Sequence, residues 1–323
     1  VDRGREPKPE STPGTQNDPM ETGAIRLAEL DGGFDLQATV ESGQSYLWRR
    51  TDGRMYEQSA PRGGDAWYET VVPPVEGVCE ERAVVRVRQV DGRLEWASTV
   101  DAVPLLTHLL RLDDDLDRIV DASPDDPLLA RAYEAYPGMR LVRDPPFACL
   151  VSFICSAQMR VSRIHRMQVE LARAFGDEVA FDGRRYHAFP TPEQLAAATE
   201  DELRELKLGY RAPYVKRTAE MVATGDADPA AAAGKPYEAA RESLTQFVGV
   251  GEKVADCVCL FSLDFLEAVP LDTWIRTAIG EYYPDCDRGG YTETSRAIRK
   301  RLGGEYAGYA QTYLFHYLRN GGE

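Results

Sequence analysis

Lysine is scarce in this chain. Only six of its 38 cationic residues are lysine (Lys8, Lys207, Lys216, Lys235, Lys253 and Lys300), and arginine supplies the rest. A basic excess is missing too: 53 Asp and Glu leave a net charge of −15. That balance argues against a protein that holds nucleic acid by bulk charge, which carries a basic face. Abundant acid with Arg in place of Lys is similar to the composition of proteins from salt-loving cells, where an acidic surface keeps protein soluble. High salt weakens counterion release on binding a polyanion. Contacts to such a partner must then rest on backbone amides, stacking and a small basic patch. Long apolar runs are also missing. None approaches the roughly 18–20 residues of a membrane span, and none near residue 1 reads as a signal-peptide core, so a cytoplasmic location is expected. The six cysteines (Cys79, Cys149, Cys155, Cys257, Cys259 and Cys286) lack a tight four-cysteine metal spacing. They read as reduced thiols rather than a disulfide framework.

What is present divides the 323 residues into three stretches. Residues 1–24 are rich in Pro, Gly, Glu and Thr without periodicity and read as a disordered tail. Residues 25–103 read as an antiparallel sheet domain. Phe34 to Val40 alternates, and Asp52-Gly53 and Asp91-Gly92 are hairpin turn signals. Residues 104–323 read as helical. Helices are expected over 105–112, 127–136, 145–175, 192–206, 212–224, 237–247, 252–263, 272–282, 293–302 and 306–318, with Pro or Gly near most ends. The Ala-rich run at 230–234 reads as a linker.

One segment carries chemistry. In Gln246-Phe247-Val248-Gly249-Val250-Gly251-Glu252-Lys253 two glycines alternate with valines between helical patterns. Glycines there allow positive φ and expose amide N–H groups, and with the N-terminus of the next helix they form an anion site. Without a ligand the same pattern is a tight turn between helices. Lys253 falls in the first turn of its helix, where the dipole favours the neutral, nucleophilic amine; the plain alternative is a surface lysine. Asp272 follows Pro270 and is placed to cap the next helix. An ionised cap can also stabilise a developing cation. An amine, a carboxylate and a phosphate-holding turn together suggest chemistry on nucleic acid.

Here the sequence resembles the helix-hairpin-helix DNA glycosylases, and among them the eukaryotic-type 8-oxoguanine DNA glycosylase/AP lyase family. The resemblance covers roughly residues 25–320. It rests on Ser42-Gly43-Gln44-Ser45-Tyr46-Leu47-Trp48, Leu112-Asp113-Asp114-Asp115-Leu116, Phe153-Ile154-Cys155-Ser156, Leu208-Gly209-Tyr210-Arg211-Ala212 and Lys253-Val254-Ala255-Asp256-Cys257-Val258-Cys259-Leu260, in the family's order and spacing. With the acidic composition it points to a halophilic archaeon as the source.

The resemblance implies an α+β protein: an N-terminal antiparallel, TBP-like sheet domain before an all-α helix-hairpin-helix domain. It implies a monomer that binds damaged double-stranded DNA, without membrane association, metal or cofactor. The damaged nucleotide is flipped into a pocket. Lys253 attacks C1′ and expels the base, Asp272 stabilises the oxocarbenium-like transition state, and the resulting Schiff base undergoes β-elimination. Gly43 corresponds to the glycine whose carbonyl accepts N7–H of 8-oxoguanine. Gln311 and Phe315 correspond to residues on the base edge and face, and Cys257 to a cysteine against the flipped base. Gly249, Val250 and Gly251 form the phosphate-holding hairpin. Tyr210 corresponds to the wedge beside the lesion, and Arg163 and Arg211 to the readers of the opposite cytosine.

Three positions depart from the family. Ala157-Gln158-Met159-Arg160 replaces a run of asparagines, so Gln158 stands where an amide contacts the unpaired cytosine. Trp274 replaces a histidine that contacts the 5′ phosphate, and Val248 replaces a proline. The first two leave open a glycosylase of the same fold that removes alkylated or deaminated bases. A third reading, a binder of damaged DNA that has lost turnover, has Lys253 and Asp272 against it.

Overall fold

A computed structural model describes residues 20–57 and 65–322. The expected tail lies outside the described residues over 1–19. The part of it that is described is ordered: β1 (Glu21–Arg26) pairs with β5 (Arg93–Ser98) along its whole length. Backbone pairing, not an apolar pattern, brings this segment into the sheet, so the sequence gives it no signal.

The sheet is antiparallel, in the order β1-β5-β4-β3-β2, with β2 (Arg49–Arg50), β3 (Tyr68–Val72) and β4 (Ala83–Val90). Alternation along β4 sends Val85 and Val87 to one face and Val84 to the other. The first face is covered by α1 (Leu36–Glu41) and α2 (Ala102–Leu110), through Leu36, Val40, Leu105, Leu106 and Leu109. Thus 34–40, read as a strand from its alternation, is largely helix. Asp35 caps it by accepting the Ala38 N–H at 2.9 Å, and every residue of Leu36–Glu41 is buried. Burial on all sides erases the polar face that distinguishes a helical period from a strand period. The sheet's core reaches Leu112, past the boundary expected at 103.

The rest is helical: α3 (Leu116–Asp121), α4 (Pro127–Ala135), α5 (Pro146–Ile154) and α6 (Val161–Phe175), followed by a two-stranded hairpin, β6 (Glu178–Phe181) and β7 (Arg184–His187). This hairpin interrupts a region read as wholly helical. Its turn, Asp182-Gly183, takes positive φ at both positions (49° and 68°), the two-residue turn that suits strand twist. Phe181 and Tyr186 bury against Val84 and Ala97 on the sheet's second face. Then come α7 (Pro192–Ala197), α8 (Glu200–Glu205), α9 (Ala212–Ala223), α10 (Tyr237–Leu244), α11 (Glu252–Ser262), α12 (Thr273–Tyr282), α13 (Tyr291–Arg301) and α14 (Ala307–Arg319).

Two expected helices are split. The span 145–175 breaks after α5, where Gln158 takes φ 54°, and 192–206 restarts at the Thr199/Glu202 capping box. The expected linker contains a short 3-10 turn, Pro229–Ala232, with Ala232 buried. No helix of the described residues is long and apolar enough to cross a membrane.

Sheet and helices share polar contacts. Ser45 donates its hydroxyl to Asp144 Oδ1 at 3.0 Å, and Gln44 Nε2 donates to the Arg140 carbonyl at 2.7 Å. These bonds bring Gly43, between α1 and β2, to the helical part.

Candidate active site

The turn between α10 and α11 uses its two glycines differently. Gly249 has φ +83°, and a Cβ there would stand 2.6 Å from the Tyr214 ring and 2.9 Å from Tyr214 Cβ. Gly251 has φ −97°, as the N-cap of α11, and a Cβ there would meet nothing within 4 Å. Only the first therefore needs the positive φ expected of both. Thr218 on α9 donates to the Val248 carbonyl at 3.3 Å, and Val250 is buried beneath the turn. The amides at the N-terminus of α11 have no side-chain cap, which suits an anion.

The two glycines should respond differently to substitution. Gly249→Ala is expected to lower stability by about 2 kcal/mol or more, from left-handed strain and the rigid Tyr214 contact. Gly251→Ala should cost only about 0.5–1 kcal/mol as a poorer N-cap. Urea midpoints check both; equal stability losses would contradict the distinction.

Lys253 sits half-buried in the first turn of α11. Its Nζ donates to Ser156 Oγ at 3.2 Å and lies 5.4 Å from the centre of the Phe153 ring. Ser156 in turn donates to the Phe153 carbonyl at 2.7 Å. The break between α5 and α6 thus places a hydroxyl that holds the amine. Asp272 is the N-cap of α12, accepting the Ile275 N–H at 2.8 Å. Its low-dielectric surroundings raise the carboxyl above its ordinary value; the Lys253 charge and the Ile275 and Trp274 amides oppose that rise. Amine and carboxylate are therefore electrostatic partners. Burial pushes the Cys257 thiol, one turn along α11 from Lys253, up to about 12, so it is neutral and acts as a small apolar wall.

Lys253, Asp272 and Cys257 open into one cleft of about 2000 Å³, and Gly43, Gln311 and Phe315 line it too. Gln311 and Phe315 are one turn apart on α14 and share a face. Gly43 has φ +99°, and a Cβ there would come within 3.4 Å of Phe315 Cε1. The sheet part and the last helix thus meet at this wall, far apart in sequence.

Gln158 and Trp274 border the same cleft, both exposed. A left-handed conformation is one that Asn adopts more readily than Gln, so Gln158 fills a strained position. Among the described residues, Arg163, Tyr210, Arg211 and the hairpin residues Gly249, Val250 and Gly251 do not line the cleft. Tyr210 is 55% exposed at the tip of the turn before α9, edge-on to Tyr214. Arg163 is exposed on α6, whereas Arg211 is buried, stacks on Tyr210 and donates to the Ala157 carbonyl. Arg160, Arg166 and Arg173, from the start of α6 onward, border the cleft and supply a local basic rim. Sequence reasoning assigned no role to Ser156 or to Arg319, another lining residue; only the folded chain brings them to the site.

Residues 151–303 match the family model of the HhH-GPD superfamily base excision DNA repair protein, and residues 26–150 match that of the 8-oxoguanine DNA glycosylase N-terminal domain. A probable N-glycosylase/DNA lyase of Methanothermobacter thermautotrophicus is 32% identical over 318 residues, covering 90% of this chain and 95% of its own. The N-glycosylase/DNA lyase of Saccharomyces cerevisiae is 34% identical over 335 residues, covering 90% of this chain and 84% of its own. Among solved structures, the Clostridium acetobutylicum 8-oxoguanine glycosylase/lyase, in complex with duplex DNA containing cytosine opposite 8-oxoG, matches with a TM-score of 0.77 at 26% identity, covering 94% of this chain and 98% of that one.

Proposed function

The chain belongs to the 8-oxoguanine DNA glycosylase family of the HhH-GPD base-excision repair superfamily, and from that premise we propose that it excises 8-oxoguanine from duplex DNA and then cleaves the strand. The observation that carries this reading is that Lys253 and Asp272 open into one cleft with Gly43 and Phe315. Nucleophile, charge stabiliser and base contacts then surround a single extruded nucleotide.

In this reading the hairpin amides and the uncapped start of α11 hold a phosphate, and Tyr210 fills the gap beside the lesion. As the C1′–N bond lengthens, positive charge grows on the sugar, and the Asp272 carboxylate stabilises it. The Lys253 amine forms the new bond to C1′. The base leaves with the electron pair of the broken bond and takes up a proton. Loss of an amine proton and ring opening give the Schiff base, a proton leaves C2′, and the C3′–O bond breaks. Gly43 accepts N7–H of 8-oxoguanine; guanine, with a lone pair at N7, cannot donate there. Gln311 meets the Watson–Crick edge, and Phe315 and Cys257 flank the ring.

Opposite-base preference is proposed to be looser than an asparagine run at 157–160 would give, because Gln158 is longer and exposed. Arg163 remains available, while Arg211 must exchange the Ala157 carbonyl for a base. We further propose that the acidic, lysine-poor composition adapts the enzyme to concentrated salt and that it acts as a monomer.

A panel of defined duplexes at high potassium chloride tests the reading. The 8-oxoguanine·cytosine duplex should be cut fastest. Faster release of 3-methyladenine or hypoxanthine would favour the alternative that Gln158 and Trp274 motivate.

A further inference from the structure

Arg319, at the end of α14, touches both sides of the base-binding wall. Its Nη1 donates to the Ser42 carbonyl at 2.6 Å and its Nη2 to the Glu41 carbonyl at 3.1 Å. These are carbonyls at the end of α1, where the helix leaves acceptors without partners. The guanidinium carbon lies 5.2 Å from the centre of the Phe315 ring, a cation–π distance. Nη2 also lies 3.0 Å from His316 Nδ1. A guanidinium only donates, so this ring nitrogen is the acceptor. Burial, with the neighbouring Arg319 charge, pushes His316 down to about 3, which keeps the ring neutral for that bond.

The next residue after the gripped carbonyls is Gly43. A Cβ on Gly43 would stand 2.9 Å from Arg319 Nη1 and 3.2 Å from Val161 Cγ2. A free arginine could move aside, but this one is tied to two backbone carbonyls and an imidazole. Arg319 is therefore a rigid part beside Gly43. It packs over the ring of Phe315, which also lines the cleft.

We propose that Arg319 is a positioning residue for base recognition, locking the turn that carries Gly43 and the ring of Phe315 into one fixed geometry across the junction between the sheet and α14. The proposal rests on the reading of Gly43 and Phe315 as contacts to the damaged base. Arg319 acts through these two groups on discrimination, not on the bond-making steps. It lowers the Asp272 carboxyl less than Lys253 and the Ile275 and Trp274 amides do. Base release should then depend on Arg319, whereas cleavage at a site that has already lost its base should not.

The test compares two reactions on the same preparations. Single-turnover excision is measured on an 8-oxoguanine·cytosine duplex, and strand cleavage on a duplex with a preformed abasic site. Arg319→Met should lower the single-turnover excision rate about tenfold or more, as displaced recognition groups do, and should lower the preference for 8-oxoguanine over guanine. Abasic-site cleavage should stay within about threefold of wild type. Arg319→Lys should restore part of the excision rate, because an ammonium reaches one carbonyl but lacks the planar fork. Equal losses in both reactions would reduce Arg319 to a structural role, and unchanged excision and preference would also overturn the proposal. A wild-type chain that cuts abasic sites but leaves 8-oxoguanine intact overturns the functional reading itself, and with it the base that Arg319 is said to serve.

Discussion

Replacing Lys253 by Gln is expected to abolish covalent trapping and to slow strand cleavage by about 10³-fold or more, because among the described residues no other lysine lines the cleft. The substitution is close in length, and its amide can keep the contact that Nζ now makes to Ser156 Oγ. The amides of the hairpin are untouched. Affinity for a lesion-containing duplex should therefore stay near wild type, and the fold should survive. Binding measured by titration and cleavage measured on the same duplex separate the two effects. Cleavage near the wild-type rate would remove Lys253 as the nucleophile.

Asp272→Asn should lower base excision by about 10²–10³-fold, the size expected when one preorganised electrostatic contact to a transition state is lost. Asn is as good an N-cap as Asp, so α12 should keep its start at the Ile275 amide. The fold should not suffer. The folded-state carboxyl lies above its ordinary value because its surroundings disfavour charge. The unfolded chain thus ionises this group more readily, and above the folded pKa the ionised carboxylate detracts from stability. An uncharged Asn removes that cost, so the thermal midpoint at neutral pH should be unchanged or higher. The same shift gives a pH signature. Wild-type excision should fall as pH drops through a value above that of an ordinary aspartate, and the residual activity of the variant should lack that acidic limb. A near-normal excision rate in the variant, or loss of folding with loss of activity, would contradict this role.

The sequence made some of this legible because local chemistry announced it. The Gly249–Gly251 turn, Lys253 two residues on and Asp272 after Pro270 are each local signals, and the structure shows the turn, the amine and the cap in the elements expected. Gln311 and Phe315 share a helix face by spacing alone. Other features were hidden for physical reasons. Phe34 to Val40 alternates like a strand, but the helix Leu36–Glu41 formed there is buried on every side, so the period carried no information. The hairpin Glu178–His187 lies among helical patterns, and only Asp182-Gly183 marks it. Ser156 and Gln158 fall in a break inside what reads as one long helix, where a left-handed residue ends the pattern. Arg319 falls just past the helix expected over 306–318. Its bonds to Glu41 and Ser42 exist only after the chain has closed on itself.

The central claim is that Lys253 joins covalently to the sugar of an 8-oxoguanine nucleotide. Sodium borohydride reduction of the wild-type enzyme during reaction with an 8-oxoguanine·cytosine duplex, in both low and high potassium chloride, measures this most directly. The account predicts a trapped protein–DNA complex that is missing with Lys253→Gln. Absence of the complex from wild type under both salt conditions, or its persistence in that variant, would contradict it.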